Sequence, residues 1–161
     1  MKIRRWHILS KIIATYNIQS VVEIGILRAE NASNILCDHP KLKYVGVDPY
    51  CETPTNLSEY DHERNKPLAQ KVFDKYENAK LVVGFSKDCP QDETFDLVFI
   101  DGDHSYQAVK DDIEFWKKRI RIGGIISGHD YRKPDVKRAV HETLGSEIHL
   151  EPDNVWWVSN N

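Results

Sequence analysis

The sequence predicts a doubly wound α/β fold, a mostly parallel sheet with helices on both faces, and three observations carry that prediction. Short apolar runs rich in β-branched residues alternate with stretches of helical periodicity along the chain. Several of these runs end abruptly in acids, glycine or histidine, as strands do that deliver their C-terminal ends to a ligand crevice. The last two runs, Ile148-His149-Leu150 and Val155-Trp156-Trp157-Val158, are separated only by Glu151-Pro152-Asp153-Asn154, so they form an antiparallel hairpin that adds one reversed strand.

Trp6, Leu9, Ile12, Ile13 and Tyr16 recur at helical spacing and Asn17 stops them, so residues 1–18 are read as an N-terminal helix. Val21 to Gly25 is a short strand, Glu30 to Asp38 a helix closed by Pro40, and Tyr44 to Asp48 a second strand. The polar stretch Pro49–Pro67 lacks periodicity and reads as a loop with at most a turn of helix, a candidate lid over 49–67. A helix follows over Leu68–Tyr76, then strands Lys80–Gly84 and Phe95–Ile100. From Tyr106 to Ile120, Val109, Ile113, Trp116 and Ile120 form one apolar stripe, and Ser105 could cap the helix. Gly123-Gly124 ends the next connection, ahead of a strand over Ile125–Gly128. Pro134 opens the last helix and Gly145 closes it. One of Trp156 and Trp157 is expected in the core, the other over a sheet edge or an interface.

With 161 residues, 40% hydrophobic and 29% charged, residues 1–161 suit a single domain with one core. A net charge of −3 gives no electrostatic reason to expect nucleic acid or an anionic membrane as partner. No apolar run approaches the ~20 residues of a membrane span, and the first residues lack a secretory core. Cys37, Cys51 and Cys89 are too few and too scattered for a disulfide framework or a zinc knuckle, so a cytoplasmic setting is expected.

The chemistry gathers at strand ends. Glu23-Ile24-Gly25-Ile26-Leu27 forms the first strand-to-helix turn, with one glycine where the dinucleotide fingerprint needs three. An acid two positions before the glycine suits S-adenosylmethionine, which carries an ammonium and a sulfonium and whose carboxylate can use the backbone N–H groups near Gly25 and Leu27. Asp48 ends the second strand 23 positions after Gly25, the spacing of about 20 residues at which an acid accepts the ribose hydroxyls. Phe85 and Ser86 follow the third strand and could border an adenine; ordinary loop packing explains them as well. After the fourth strand come Asp101, Gly102, Asp103 and His104, and after the fifth His129 and Asp130. Asp101, His129 and Asp130 make a mixed oxygen and nitrogen site; carboxylates favour Mg²⁺, Mn²⁺ or Ca²⁺, and the imidazole moves the preference toward Mn²⁺ or Fe²⁺. The alternative is that both acids merely cap helices.

Glu23-Ile-Gly25-Ile-Leu-Arg28-Ala29, Val45-Gly46-Val47-Asp48, Phe95 through Tyr106 and Gly123 through Tyr131 together resemble class I S-adenosylmethionine-dependent methyltransferases. Within them the likeness is to the group called methyltransferase family 24, and it is similar also to macrocin-type, metal-dependent sugar O-methyltransferases. The resemblance runs from Ile18 to Val158. It implies a Rossmann-like sheet of seven strands with the last inserted antiparallel, and cofactor contacts at Glu23, Gly25, Asp48 and the Asp101-Gly102 turn. In the sugar enzymes the first acid of Asp-Gly-Asp and a later acid pair bind metal, and the second acid acts as base. Carried over, this implies Asp101, His129 and Asp130 as ligands of Mg²⁺ or Mn²⁺ and Asp103 as base. Two departures stand out. Ala29 replaces the usual second glycine, where its methyl group could crowd the methionine end of the cofactor although alanine accepts helical φ/ψ. His129 replaces one acid of the pair. His104 is a competing base, with an ordinary pKa of about 6.5.

The activity so implied is O-methylation of a small hydroxylated metabolite or a sugar, with a divalent metal lowering the pKa of the acceptor oxygen. Two alternatives remain: metal-independent transfer with His104 as base, and a cofactor-binding protein without catalysis. A nicotinamide-dependent oxidoreductase is opposed by the missing glycines. A chain this short has little but 49–67 to cover a pocket, which leaves a homodimer open.

Overall fold

A computed structural model describes residues 2–55, 61–90 and 92–161. In chain order its elements are α1 (Arg5–Thr15), β1 (Ser20–Ile24), α2 (Glu30–Asp38), β2 (Lys43–Asp48), α3 (His62–Phe73), β3 (Ala79–Val83), β4 (Phe95–Ile100), α4 (Tyr106–Lys117), β5 (Ile120–Gly128), α5 (Pro134–Leu144), β6 (His149–Leu150) and β7 (Trp156–Ser159), with 3-10 turns at Ser86–Asp88 and Pro152–Asn154. The strands form one seven-stranded sheet in the order β3-β2-β1-β4-β5-β7-β6. β1 to β5 are parallel, and β7 runs antiparallel between β5 and β6. The expected fold class is therefore the observed one.

Strand alternation divides the interior into two layers. Leu97 and Phe99 of β4 point to a layer closed by α1, α2 and α3, with Leu9, Ile35, Tyr44 and Phe73 at its centre. Val98 and Ile100 point to the opposite layer, where Ile113 and Trp116 of α4 and Val140 of α5 cover the sheet. Trp156 and Trp157 follow the same alternation: both are buried, one in each layer, so neither is left at an exposed edge. Trp157 stacks on His149 of the neighbouring β6, with ring centroids 3.9 Å apart.

Three element readings change. α3 begins at His62, inside the stretch read as loop: Asp61 caps it by accepting the Arg64 N–H at 2.9 Å. Pro67 sits in its second turn, where it removes one helical N–H bond without ending the helix. Of the 49–67 stretch expected as a lid, Pro49–Thr55 is irregular and 62–67 is helix, while 56–60 lie outside the described residues. α4 stops at Lys117, and Ile120 already pairs with Phe95 in β5. Gly123-Gly124 then lies within β5, at a bulge between the Phe95–Ile120 and Leu97–Ile125 pairs. A side chain at Gly124 would meet the Asp96 carbonyl at 2.6 Å, so a strand bulge needs glycine there as a turn would.

Candidate active site

The chain reverses direction across the sheet after β3, returning to the far side of β1 as β4. The C-terminal ends of β1, β2, β4 and β5 meet at this switch point, and a cleft of about 1210 Å³ opens over them. The twelve residues expected at the site from the sequence all line it.

The glycine turn after β1 forms the cleft's floor. Gly25 has φ +88°, and a side chain there would collide with the Asp101 backbone carbonyl; glycine alone lets the ends of β1 and β4 pass so closely. Asp48 holds the turn: its Oδ2 accepts the N–H groups of Ile26 at 2.8 Å and Leu27 at 3.0 Å, and Oδ1 accepts that of Tyr50 at 2.8 Å. The Leu27 N–H expected to meet a ligand carboxylate is therefore already bonded to Asp48. Oδ1, with one partner, retains capacity for a ligand hydroxyl. Ala29 has φ +61° and is buried outside the cleft lining. Its methyl group does not crowd the cleft; what replacing glycine costs here is a left-handed backbone, about 1–2 kcal/mol. Glu23 is buried beneath the floor, accepting Asn31 Nδ2 at 2.8 Å and the Tyr44 hydroxyl at 2.6 Å. Burial pushes its carboxyl up to about 7 against both hydrogen bonds.

Beyond Gly25 lies a cluster of acids and imidazoles. His104 Nε2 is 2.8 Å from Asp130 Oδ2 and 3.9 Å from Asp101 Oδ1, yet it has no aligned hydrogen-bond partner. His129 Nδ1 is 3.3 Å from Asp101 Oδ1 and 3.6 Å from Asp130 Oδ1. Two cations flank the acids: Arg5, from the first turn of α1, reaches Asp101 Oδ2 at 2.9 Å and His129 Nδ1 at 3.2 Å, and Lys133 reaches Asp130 Oδ2 at 2.9 Å. Burial alone would lower both histidines, but the two acids hold each up at about 9. Asp130 is held far below the usual carboxylate range by the two imidazoles and then Lys133. Asp101 is lowered too, its burial outweighed by His104, His129 and Arg5. Among the described residues, one ligand atom each from Asp101, His104 and Asp130 lies within 4.8 Å of the others, a spacing that could hold a metal ion. This group holds His104 rather than the expected His129, whose Nδ1 lies 3.2 Å from Arg5 Nη1 and whose Nε2 lies 3.9 Å from Asp153 Oδ2.

Residues 22–131 match the family model described as a methyltransferase domain, that of methyltransferase family 24. The chain belongs to this methyltransferase family. An uncharacterized protein of Acanthamoeba polyphaga mimivirus, R132, is 29% identical over 153 residues, covering 86% of this chain. The chain spans 66% of that relative's length. Among solved structures, cofactor-bound Rv0187 from MTB superposes with a TM-score of 0.71 at 17% identity, over 99% of this chain and 80% of that one. The O-methyltransferase of Bacillus cereus in complex with SAH superposes with a TM-score of 0.68 at 15% identity, over 96% and 80%. At these identities the structural likenesses establish a shared fold.

In this methyltransferase both carboxylate oxygens of Asp103, the expected base, are held by backbone N–H groups. Its Oδ2 accepts the Thr55 N–H at 2.9 Å and its Oδ1 the Ser105 N–H at 2.8 Å, while the His104 N–H donates to Thr55 Oγ1 at 2.7 Å. Hydrogen bonds from the Ser105 and Thr53 side chains, then those from the Thr55 and Ser105 N–H groups, outweigh its partial burial and hold the carboxyl down at about 2. Asp103 instead ties the Pro49–Thr55 stretch across the mouth of the cleft to the start of α4. Phe85 stands 46% exposed at that mouth, whereas Ser86 is buried and donates to Asp112 Oδ1 at 2.6 Å. Sequence reasoning missed Arg5 and Asp112. Arg5 lies outside the family match, and Asp112 belongs to no motif and lies off the apolar stripe of α4. Neither carries a local signal, because what matters is where the fold brings them.

Proposed function

We propose that this chain is an S-adenosylmethionine-dependent O-methyltransferase acting on a small hydroxylated metabolite, a sugar among the candidates, with a divalent cation at Asp101, His104 and Asp130. The observation that carries this reading is the meeting of that acid–imidazole group with the Gly25 turn and Asp48 in one cleft. The residues fit a hard or borderline cation: two carboxylates face each other, and the buried Nε2 of His104 points among them without a hydrogen bond. Mn²⁺ or Mg²⁺ would supply Lewis acidity toward the acceptor oxygen. The protein supplies the rest. Gly25 and Asp48 hold the nucleoside end of the donor, the Asp101-Gly102 turn lets it approach the backbone, and the stretch tied down by Asp103 excludes water. Without a cation, the two acids hold the His104 imidazole up at about 9, which weighs against it as sole base at neutral pH.

Arg5 and Lys133 favour a second reading, because they already neutralise Asp101 and Asp130. In that reading the donor binds and no metal does. One experiment separates the two: calorimetric titration with S-adenosylmethionine and S-adenosylhomocysteine, then homocysteine-product formation with a panel of hydroxylated metabolites, each with Mn²⁺ and with EDTA. Donor binding in both conditions and turnover abolished by EDTA is the expected result. No heat with either ligand refutes the methyltransferase activity; turnover unchanged in EDTA refutes the metal.

A further inference from the structure

We propose that Arg5 opposes the divalent cation at Asp101, so that the first turn of α1 sets how tightly the site holds metal. This rests on the cation site proposed above. Nothing within the helix calls for Arg5. It is the first residue of α1, whose unpaired N–H groups already make that end positive, and the first turn holds no acid. A cation there weakens a helix, and its partners lie elsewhere in the chain. The Arg5 N–H donates to Asp153 Oδ2 at 2.9 Å, and the guanidinium reaches Asp101 Oδ2 at 2.9 Å. Both sides of this arrangement are anchored. Ile8, Leu9, Ile12 and Ile13 bury the inner face of α1. The hairpin that carries Asp153 is fixed to the end of β5: the Tyr131 N–H donates to the Asn154 carbonyl at 3.2 Å, and the Trp156 indole N–H to that of His129 at 3.2 Å.

Asp101 has one negative charge to share. Paired with Arg5 it is balanced, and an ion binding Asp101 meets a fixed positive charge on the same carboxylate. The side chains of Arg5 and Asp101 are 30% and 12% exposed, so water and salt screen that repulsion less than they would at the surface. Lys133 on Asp130 differs: its side chain is 47% exposed, and its flexible stem lets the ammonium turn to solvent. A residue that merely braced Asp101 would have the opposite effect. Outer partners of a ligand strengthen metal binding, and their loss weakens it. Loss of an opposing charge tightens it, so the sign of the change separates the two roles.

The test is titration with Mn²⁺ at fixed pH and ionic strength, followed by calorimetry and by the electron paramagnetic resonance signal of free Mn²⁺. Wild type, Arg5→Gln, Arg5→Lys and Arg4→Gln are compared; all three changes leave the buried face of α1 intact. Arg5→Gln should bind Mn²⁺ about tenfold tighter or more. Arg5→Lys keeps a charge and should stay closer to wild type than Arg5→Gln does. Arg4→Gln removes the same charge from an exposed neighbour and should stay within about twofold of wild type. Binding that appears only in Arg5→Gln supports the proposal and refutes the metal in the native chain. Equal affinity in wild type and Arg5→Gln overturns the proposal. So does equal tightening in Arg4→Gln, which reduces the effect to net charge. Weaker binding in Arg5→Gln overturns it as well and makes Arg5 a brace for Asp101, with the cation site left standing. Mn²⁺ bound by none of the four refutes the cation site itself, and the proposal with it.

Discussion

Replacing Glu23 with glutamine should change how stability depends on pH, and the size of the change follows from its surroundings. The carboxyl is 2% exposed, with Tyr44 and Asn31 on its two oxygens, and burial raises it from 4.5 to about 7. Between those values the folded state holds a proton that the unfolded state has released. Stability contributed by the protonated group is therefore complete below about pH 4.5, falls as pH rises, and is gone above pH 7. The gap from 4.5 to about 7, at about 1.4 kcal/mol per pH unit, comes to about 3.5 kcal/mol, of which about 3 kcal/mol falls between pH 4.5 and 7.5. Glutamine stays neutral throughout; with its amide oxygen on Asn31 Nδ2, its N–H₂ faces the Tyr44 hydroxyl oxygen, which can accept. Urea denaturation of wild type and Glu23→Gln at pH 4.5, 6 and 7.5 isolates the effect, since other titrations are common to both. The variant should gain about 3 kcal/mol relative to wild type from the lowest to the highest pH. Parallel stability curves, or a relative loss with rising pH, would refute the reasoning that burial outweighs the two hydrogen bonds.

The remaining predictions concern the cleft. At Gly102 an added methyl group would have Ile24 Cγ2 as its nearest neighbour, at 3.5 Å, so Gly102→Ala should leave stability within about 0.5 kcal/mol. It should nonetheless weaken S-adenosylhomocysteine at least about tenfold by narrowing the backbone approach, and unchanged affinity would remove Gly102 from the donor site. His104→Ala should weaken Mn²⁺ about 10- to 100-fold in calorimetry, while His129→Ala, a neighbour rather than a ligand, should cost less. The opposite order would restore the set read from the sequence. Asp103→Asn should loosen the Thr55 tie and raise KM more than it lowers kcat, with the pH–rate profile unmoved; loss of that profile's basic limb would reinstate Asp103 as the base.

The fold was legible because its signals are local and repeated. Val21–Gly25, Tyr44–Asp48 and Phe95–Ile100 announce buried parallel strands by composition, and the glycines and acids that end them mark the crevice. The misreadings share a cause, which is that one residue type serves two geometries. Pro67 was expected to bound a helix and sits inside one; Gly123-Gly124 was expected to end a connection and forms a bulge. At the site, sequence order indicates which side chains reach the sheet's C-terminal edge but not where their free atoms point. Asp103 and His104 are adjacent, yet one turns to Thr55 and the other to Asp130. His129 Nδ1 faces Arg5, which lies 124 residues away in the chain.

The charges around Asp101 and Asp130 make a further demand on the metal. Without a cation, His104 and His129 are both protonated below about pH 9, and with Arg5 and Lys133 they outnumber the acids Asp101, Asp130 and Asp153 by one. Bringing a divalent ion into this group adds two charges, and loss of both imidazole protons restores the original balance. His104 must release its proton in any case, because only a neutral imidazole ligates. Metal binding should therefore be proton-coupled, releasing between one and two protons near neutral pH. The sign is fixed: affinity rises with pH up to about 9 and then levels, by about tenfold per pH unit for each proton released. Titrating Mn²⁺ at pH 7, 8 and 9, in buffers of different ionisation enthalpy, measures both the slope and the proton count. A flat affinity with no buffer dependence would mean that His104 is not a ligand, and the two acids, already held by Arg5 and Lys133, would then serve the acceptor through hydrogen bonds alone.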